Sequence, residues 1–374
     1  MPEPFDVSQL PAAAQKVLSP TAPKPAKMMA AKGIIPGLKP GEIVTVLALL
    51  GEDEDPKIAE GAQATLANLP PPILNGAFAM PLPGFVTERF AHACSTNHQV
   101  IEQLLRQPAV TLAALEHLAH TADERAGELI ATNEALMLKS PSVIEKLYMN
   151  ERVRMSTADR LLELAVRNGI ELSIPAYKEA AAAIQNELIP EPSEEPTYDD
   201  MLFEETGRLA RETALSDDDD THEVDEEGEE RVREKFLPLH ARIADMTITQ
   251  KIRRAMLGSA AERLILVRDS NRLVAAAAAK SPRMQEPEAV RITASRAVSD
   301  DVLRILALNR EFTRSYQVKL NLVINPRTPF TFASRLVPHL RESDLKKLAK
   351  SKNITGSIAT AIKQQMTRKD SKKH

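Results

Sequence analysis

Apolar residues occur along this chain in short helical bursts that stop at asparagine or at Ser-Pro. Val143-Ile144-Glu145-Lys146-Leu147-Tyr148-Met149-Asn150 reads like Val302-Leu303-Arg304-Ile305-Leu306-Ala307-Leu308-Asn309. Each phrase runs through a charged, aliphatic stretch into a second Leu/Val-rich segment and another asparagine, Asn168 and Asn325. The spacing predicts helices of about 8–16 residues with short connections, stacked as a helical repeat array. Such arrays specify surfaces rather than reactions.

Punctuation divides the pattern. Residues 1–40 are rich in Pro, Ala and Lys, with five prolines from Pro20 to Pro40, and read as a disordered arm with a short helix near Ser8–Leu18. Residues 41–185 read as an N-terminal helical-repeat lobe, opened by Gly41–Leu50 and a second helix after Asp53-Glu-Asp-Pro56. Thr121-x-x-Glu124 and Ser142-x-x-Glu145 fit the capping box there. Residues 186–235 read as an acidic linker: Ile189–Pro196 has a linker composition, and Asp217–Glu230 is a like-charge run expected to stay solvated. Between them, 198–215 reads as one amphipathic helix, either packed on the chain's own repeats or docking a partner. Residues 236–366 return to helical hairpins, with capping boxes at Thr247/Gln250 and Ser259/Glu262, and 367–374 form a basic tail. From Ser281 to Asn325 is 44 residues, inside the span of about 40–47 for armadillo and HEAT units.

Composition narrows the picture. Aromatics are 3% with no Trp, so the core is aliphatic and Ala-rich, which suits close-packed helices. The single Cys94 excludes an internal disulfide and any four-cysteine metal site, and fits a cytoplasmic chain. No stretch reads as a membrane span or a secretion signal.

The net charge of −4 conceals segregation. Residues 1–185 carry 16 Lys+Arg and 21 Asp+Glu, residues 186–235 carry 5 and 20, and residues 236–374 carry 27 and 11. An acidic segment thus adjoins a basic one of nearly opposite charge, a statement about partners rather than fold. The basic residues Arg253, Arg254, Arg263, Arg268, Arg272, Lys280, Arg283, Arg304, Arg310, Arg314, Lys319, Arg327, Lys346, Lys347, Lys350 and Lys352 recur along successive predicted units. Aligned on one face, they would form a polyanion or partner surface with salt-dependent affinity. The alternative is a solvated face that keeps the array soluble. Residues 217–230 are expected to fold over that surface as an intramolecular mask.

Candidate chemistry is sparse. There is no P-loop and no Gly-x-Gly-x-x-Gly, and the chain has 13 glycines in all. His92, His98, His117 and His120 cluster in sequence, and His117 and His120 share a helical face at i, i+3, a spacing that can serve a metal. The favoured reading is ordinary surface or partly buried histidines, with no metal site. The acids of the linker are too mobile for paired general acid–base work, and no nucleophile stands beside a base. No cofactor or small-molecule substrate is implied.

Asn325-Pro-Arg-Thr-Pro329, followed by Phe332-Ala-Ser-Arg-Leu336, resembles the leucine-rich repeat variant motif, in which Asn-Pro-x-Thr-Pro separates short helices. Lys280-Ser-Pro282 and Lys139-Ser-Pro141 are weaker copies. That family sits within the armadillo/HEAT-like α-solenoids, and the C-terminal half also looks like a group of uncharacterised bacterial proteins. The resemblance implies an all-α solenoid, and the acidic linker at 186–235 splits it into two expected lobes. The iron–sulfur cluster of some family members is not implied, because the cysteines are missing. The expected function is a non-enzymatic protein–protein interaction scaffold; the alternative is nucleic-acid or ribosome-associated binding through the basic C-terminal lobe.

Overall fold

The computed structural model describes residues 5–213, 215, 220–351 and 353–370. Among the described residues the chain is all-α, with 24 α-helices and one two-stranded hairpin. It divides into two compact units, Met1–Leu172 and Ser173–His374.

The first unit holds α1 (Ala12–Leu18), α2 (Lys24–Ala31), α3 (Pro40–Leu50), α4 (Pro56–Ala67), α5 (Pro71–Phe78) and α6 (Gly84–Ala93). It continues with α7 (His98–Leu105), α8 (Leu112–Thr121), α9 (Glu124–Ala131), α10 (Glu134–Lys139), α11 (Pro141–Tyr148) and α12 (Met155–Arg167). Where described, the arm expected to be disordered holds the short helix expected there, α1, and a second helix, α2, which packs on α3 and α4. Several of the arm's prolines fall at helix starts, Pro11 and Pro23 as N-caps and Pro40 as the first residue of α3, where the missing N–H costs nothing.

The second unit opens with α13 (Tyr177–Ile184) and α14 (Tyr198–Glu212), then β1 (His222–Val224) and β2 (Glu230–Val232). There follow α15 (Leu237–Asp245), α16 (Ile248–Leu257), α17 (Ala260–Leu266), α18 (Arg272–Ala279), α19 (Glu286–Ala294) and α20 (Asp300–Leu308). The last are α21 (Tyr316–Ile324), α22 (Phe330–Leu336), α23 (Glu342–Leu348) and α24 (Gly356–Asp370). α13, from the stretch expected to end the N-terminal lobe, packs on α16 and α18, and the helix within the expected linker, α14, packs on α15 and α16.

Most helices pack on the next but one. The first unit has α4 on α6, α6 on α8, and α7 on α9; the second has α16 on α18, α18 on α20, and α19 on α21. Small side chains permit this closeness, as in α18, whose Ala275, Ala277, Ala278 and Ala279 are all buried. The boxes at Thr247/Gln250 and Ser259/Glu262 cap α16 and α17 as their sequence predicts. The other two do not form. Asp123 caps α9, Pro141 takes the first position of α11, and the Ser142 hydroxyl donates to Glu116 at 2.6 Å.

Helices this short leave a large share of their carbonyls without an intrahelical donor. Two buried asparagines answer for them. Asn150 Nδ2 donates to the carbonyls of Ala119 (3.0 Å) and His120 (3.2 Å) in the last turn of α8 and of Ala122 (2.9 Å) just after it, and its Oδ1 accepts from Arg152 N. Asn325 Nδ2 donates to Thr293 O (2.9 Å) and Ser295 O (2.7 Å) at the end of α19, and its Oδ1 accepts from Arg327 N. The structural partner of Asn150 is therefore Asn325. The sequence phrase aligns Asn150 with Asn309, whose side chain makes only a local bond to Glu311 N. Asn168 likewise donates within its own helix, to Leu164 O.

Asn325→Ala and Asn150→Ala should each lower unfolding free energy by about 1–3 kcal/mol, because buried carbonyls lose their donor. Asn309→Ala and Asn168→Ala should each cost less than about 1 kcal/mol. Urea unfolding of the four variants checks the ranking, and equal losses would contradict the assignment.

Candidate functional site

The basic residues singled out in the sequence do not form one open surface. Arg253 is fully buried, and its guanidinium lies 5.1 Å from the Phe203 ring of α14. Arg254 stacks on the same ring at 4.9 Å and pairs with the fully buried Glu262 at 2.5 Å. A Cβ on Gly207 would stand 2.8 Å from Arg254 Nη1, so the glycine lets α14 settle on this pair. Arg263 makes a two-pronged pair with Glu288 (2.8 and 2.9 Å) and donates to Gly258 O at 2.6 Å. These are internal ties, and breaking such a buried pair from one side typically costs about 3–5 kcal/mol.

The others are nearer solvent. Arg272 and Arg304 both pair with Asp301, Arg283 donates to the carbonyl of Leu257, Lys280 pairs with Glu179, and Lys346 with Glu342. Arg310, Arg314, Arg327, Lys347 and Lys350 are exposed and Lys319 half-buried; Lys352 lies outside the described residues.

Arg268 occupies a different setting. It lies in the turn that follows α17, its side chain is almost wholly buried, and its Nη1 donates to Leu264 O at 2.7 Å. Its Nε donates to Glu230 at 2.9 Å and its Nη2 to Asp220 at 3.3 Å. Both acids belong to the segment expected as a mask. The described part of that segment, from Asp220 onward, is a hairpin; Asp217, Asp218 and Asp219 lie outside the described residues. His222 pairs with Val232 and Val224 with Glu230. The turn forms because Asp225 Oδ1 accepts from Glu227 N and Glu229 N while Gly228 adopts φ +86°, a left-handed value suited to glycine.

The Glu230 carboxylate is received by the connection between α19 and α20. Oε1 accepts from Ser295 Oγ (2.7 Å), Arg296 N (3.0 Å) and Ala297 N (3.3 Å), while Oε2 faces Ser295 Oγ (2.8 Å) and Arg268. Burial pushes this carboxyl up, but the Ser295 hydroxyl and Arg268 outweigh it, and its pKa lies below the ordinary value. A cleft of about 410 Å³ surrounds the contact. Its acidic lining residues, Asp220, Glu223 and Glu230, all come from the hairpin segment, and its cationic ones, Arg268 and Arg291, from the helices beneath.

His222 sits in the same cleft, its Nδ1 2.9 Å from Thr221 Oγ1. Burial and then the Arg268 charge depress its pKa to about 4, against the opposing pull of Asp220 and Glu230; His240 adds to the depression.

In the first unit, His92 and His117 stack with ring centroids 3.7 Å apart, while His98 bonds Asp123 at 2.8 Å. Burial, then His92 and His120, hold the His117 pKa down. Among the described residues, no group of three or more His, Cys, Asp or Glu has a metal-holding arrangement. The neighbouring cavity of about 280 Å³, bounded by Leu47, Leu66, Arg89 and His92, is mostly apolar. Cys94 is buried, its thiol pushed up to about 11 by burial, which disfavours the thiolate.

Sequence reading found Arg268 but not what it holds. The available cue was Asp225-Glu-Glu-Gly228 between Val224 and Val232, a turn signal inside what reads as a charge run.

Docking of the hairpin should weaken as pH falls. Docked His222 stays neutral to about 4, whereas a released ring protonates near 6.5, so stability is lost across that interval as pH drops. Glu230, with a lowered pKa, adds a loss in the same direction at more acidic pH. NMR titration of the His222 ring should give a midpoint near 4 in the intact protein and near 6.5 in Glu230→Ala. A midpoint near 6.5 in the intact protein would contradict this placement.

No helix among the described residues is long and apolar enough to cross a membrane. Comparison with known proteins finds no family model that matches the chain and no curated protein that does.

Proposed function

We propose that the chain is a cytoplasmic, non-enzymatic α-solenoid of the armadillo/HEAT-like group, related to the leucine-rich repeat variant proteins, and that it works as a protein-binding scaffold. The observation that most supports this is the recurrence of polar ties between elements at sequence separations of 25–32 residues in both units. Examples are His98–Asp123, Asn150–Ala119 and Arg160–Glu128 in the first, and Arg263–Glu288, Asn321–Val290 and Asn325–Thr293 in the second. The spacing is that of a two-helix unit rather than the 44 residues between Ser281 and Asn325. Arrays of this kind stack each repeat on its neighbours and present extended, typically concave surfaces to partners. Asn325 also opens the Asn-Pro-x-Thr-Pro phrase, so the motif behind the resemblance coincides with a buried structural clamp.

A second reading is polyanion binding by the C-terminal unit, and one observation favours it. Residues 310–350 carry nine Lys and Arg against three acids, and Arg310, Arg314, Arg327, Arg335, Lys347 and Lys350 are exposed without an ion-pair partner among the described residues. A surface of that kind binds phosphates with affinity that falls steeply with salt.

Mild affinity capture of the full chain separates the two readings. A protein recovered in stoichiometric amount, resistant to nuclease and retained by an Arg310→Glu/Arg314→Glu/Lys347→Glu variant, is the expected result. Nuclease-sensitive absorbance at 260 nm that co-purifies with the chain and vanishes in that variant would replace the scaffold reading with the second.

A further inference from the structure

We infer that Arg268, Ser295 and the N–H groups of Arg296 and Ala297 form an oxyanion-binding cradle, now filled by Glu230 as a resident pseudo-ligand, which accepts a phosphate or carboxylate group when the hairpin lifts. The inference concerns the chemistry of the cleft and holds for either reading of the partner.

The cradle is built by the body of the unit. Leu264 O orients the Arg268 guanidinium, and Asn325 fixes the Thr293 and Ser295 carbonyls on the connection that supplies the other donors. Its donors therefore keep their geometry without Glu230, and a preformed set of donors binds with little ordering cost. They converge on the two oxygens of one carboxylate: a nearly buried guanidinium, a hydroxyl and two backbone amides. Charge-assisted contacts of this kind are the strong class of hydrogen bond.

The occupant is detachable in a way the cradle is not. Its strands are three residues each, and an isolated two-stranded hairpin is marginal in water. Glu223, Val224 and Arg231 are exposed, so few apolar contacts hold the hairpin down. Its departure removes Asp220, Glu223 and Glu230 together, which are the acids lining the cleft, and leaves Arg268 and Arg291 with Ser295, Gln317 and Asn321. The vacated cleft is thus cationic and rich in donors, which suits an oxyanion and disfavours a cation.

The test is thermal unfolding of the full chain titrated with inorganic phosphate or with acetate, against sodium chloride at matched ionic strength. The intact protein should show no specific response. Glu230→Ala should gain a saturable rise in Tm with phosphate, acetate or both, following the logarithmic dependence of a ligand bound by the folded state alone. The two arms identify whether the cradle prefers a tetrahedral or a planar oxyanion. Adding Arg268→Ala should abolish the rise. Glu230→Thr, which keeps strand propensity but is too short to fill the cradle, serves as the second variant if Glu230→Ala folds poorly. A Glu230 variant whose Tm tracks the chloride control, or a response that survives Arg268→Ala, would overturn the cradle. A phosphate response in a chain that captures no protein would leave the cradle standing and sink the scaffold reading alone.

Discussion

Unanswered backbone groups at helix ends are the constraint on which this architecture depends. Its 24 described helices run from 6 to 15 residues, so a large fraction of their carbonyls and N–H groups lie in first or last turns. Packing each helix on the next but one buries many of those ends, and a buried unpaired polar group is costly. The chain meets this with polar side chains borrowed from the following unit. Gln107 donates to Phe78 O, Asn150 to the carbonyls at the end of α8, Arg283 to Leu257 O, and Asn325 to those at the end of α19. Because each bond spans about one two-helix step, it satisfies the backbone and sets the register of stacking together.

The same need explains the charges. Arg254, Arg263 and Arg268 look in sequence like part of a basic stripe, yet each is buried against a carboxylate and two of them also hold a backbone carbonyl. They act as rivets between α16, α17, α19 and the hairpin. The opposite charges of the acidic segment and the basic region are partly consumed in this riveting. An exposed excess of positive charge lies over residues 310–350, beyond the last of these internal pairs.

Much of the fold was legible because short helices announce their ends. Pro40, Pro56 and Pro141 open helices, Gly258 and Asn325 close them, and Ser259 with Glu262 caps α17. What was not legible is what depends on contacts distant in sequence. Pro11, Pro23, Pro25 and Pro40 read as breakers, but they sit at helix starts once α2 has α4 to pack on. Asn150 was aligned with Asn309 by local pattern, whereas the true counterpart is decided by which asparagine reaches a preceding helix end. Glu230 was one acid among many. Only the fold brings it to Ser295, sixty-five residues on, and to Arg268.

The connection between α19 and α20 concentrates the account, since Asn325 takes its carbonyls and Glu230 takes its N–H groups. Residue-resolved amide hydrogen exchange of the intact protein and of Glu230→Ala tests this most directly. Arg296 and Ala297 should be protected in the intact protein, and Glu230→Ala should lose that protection together with the amides of 222–232, while 286–292 are unchanged. Equal exchange at Arg296 and Ala297 in both proteins would contradict the account.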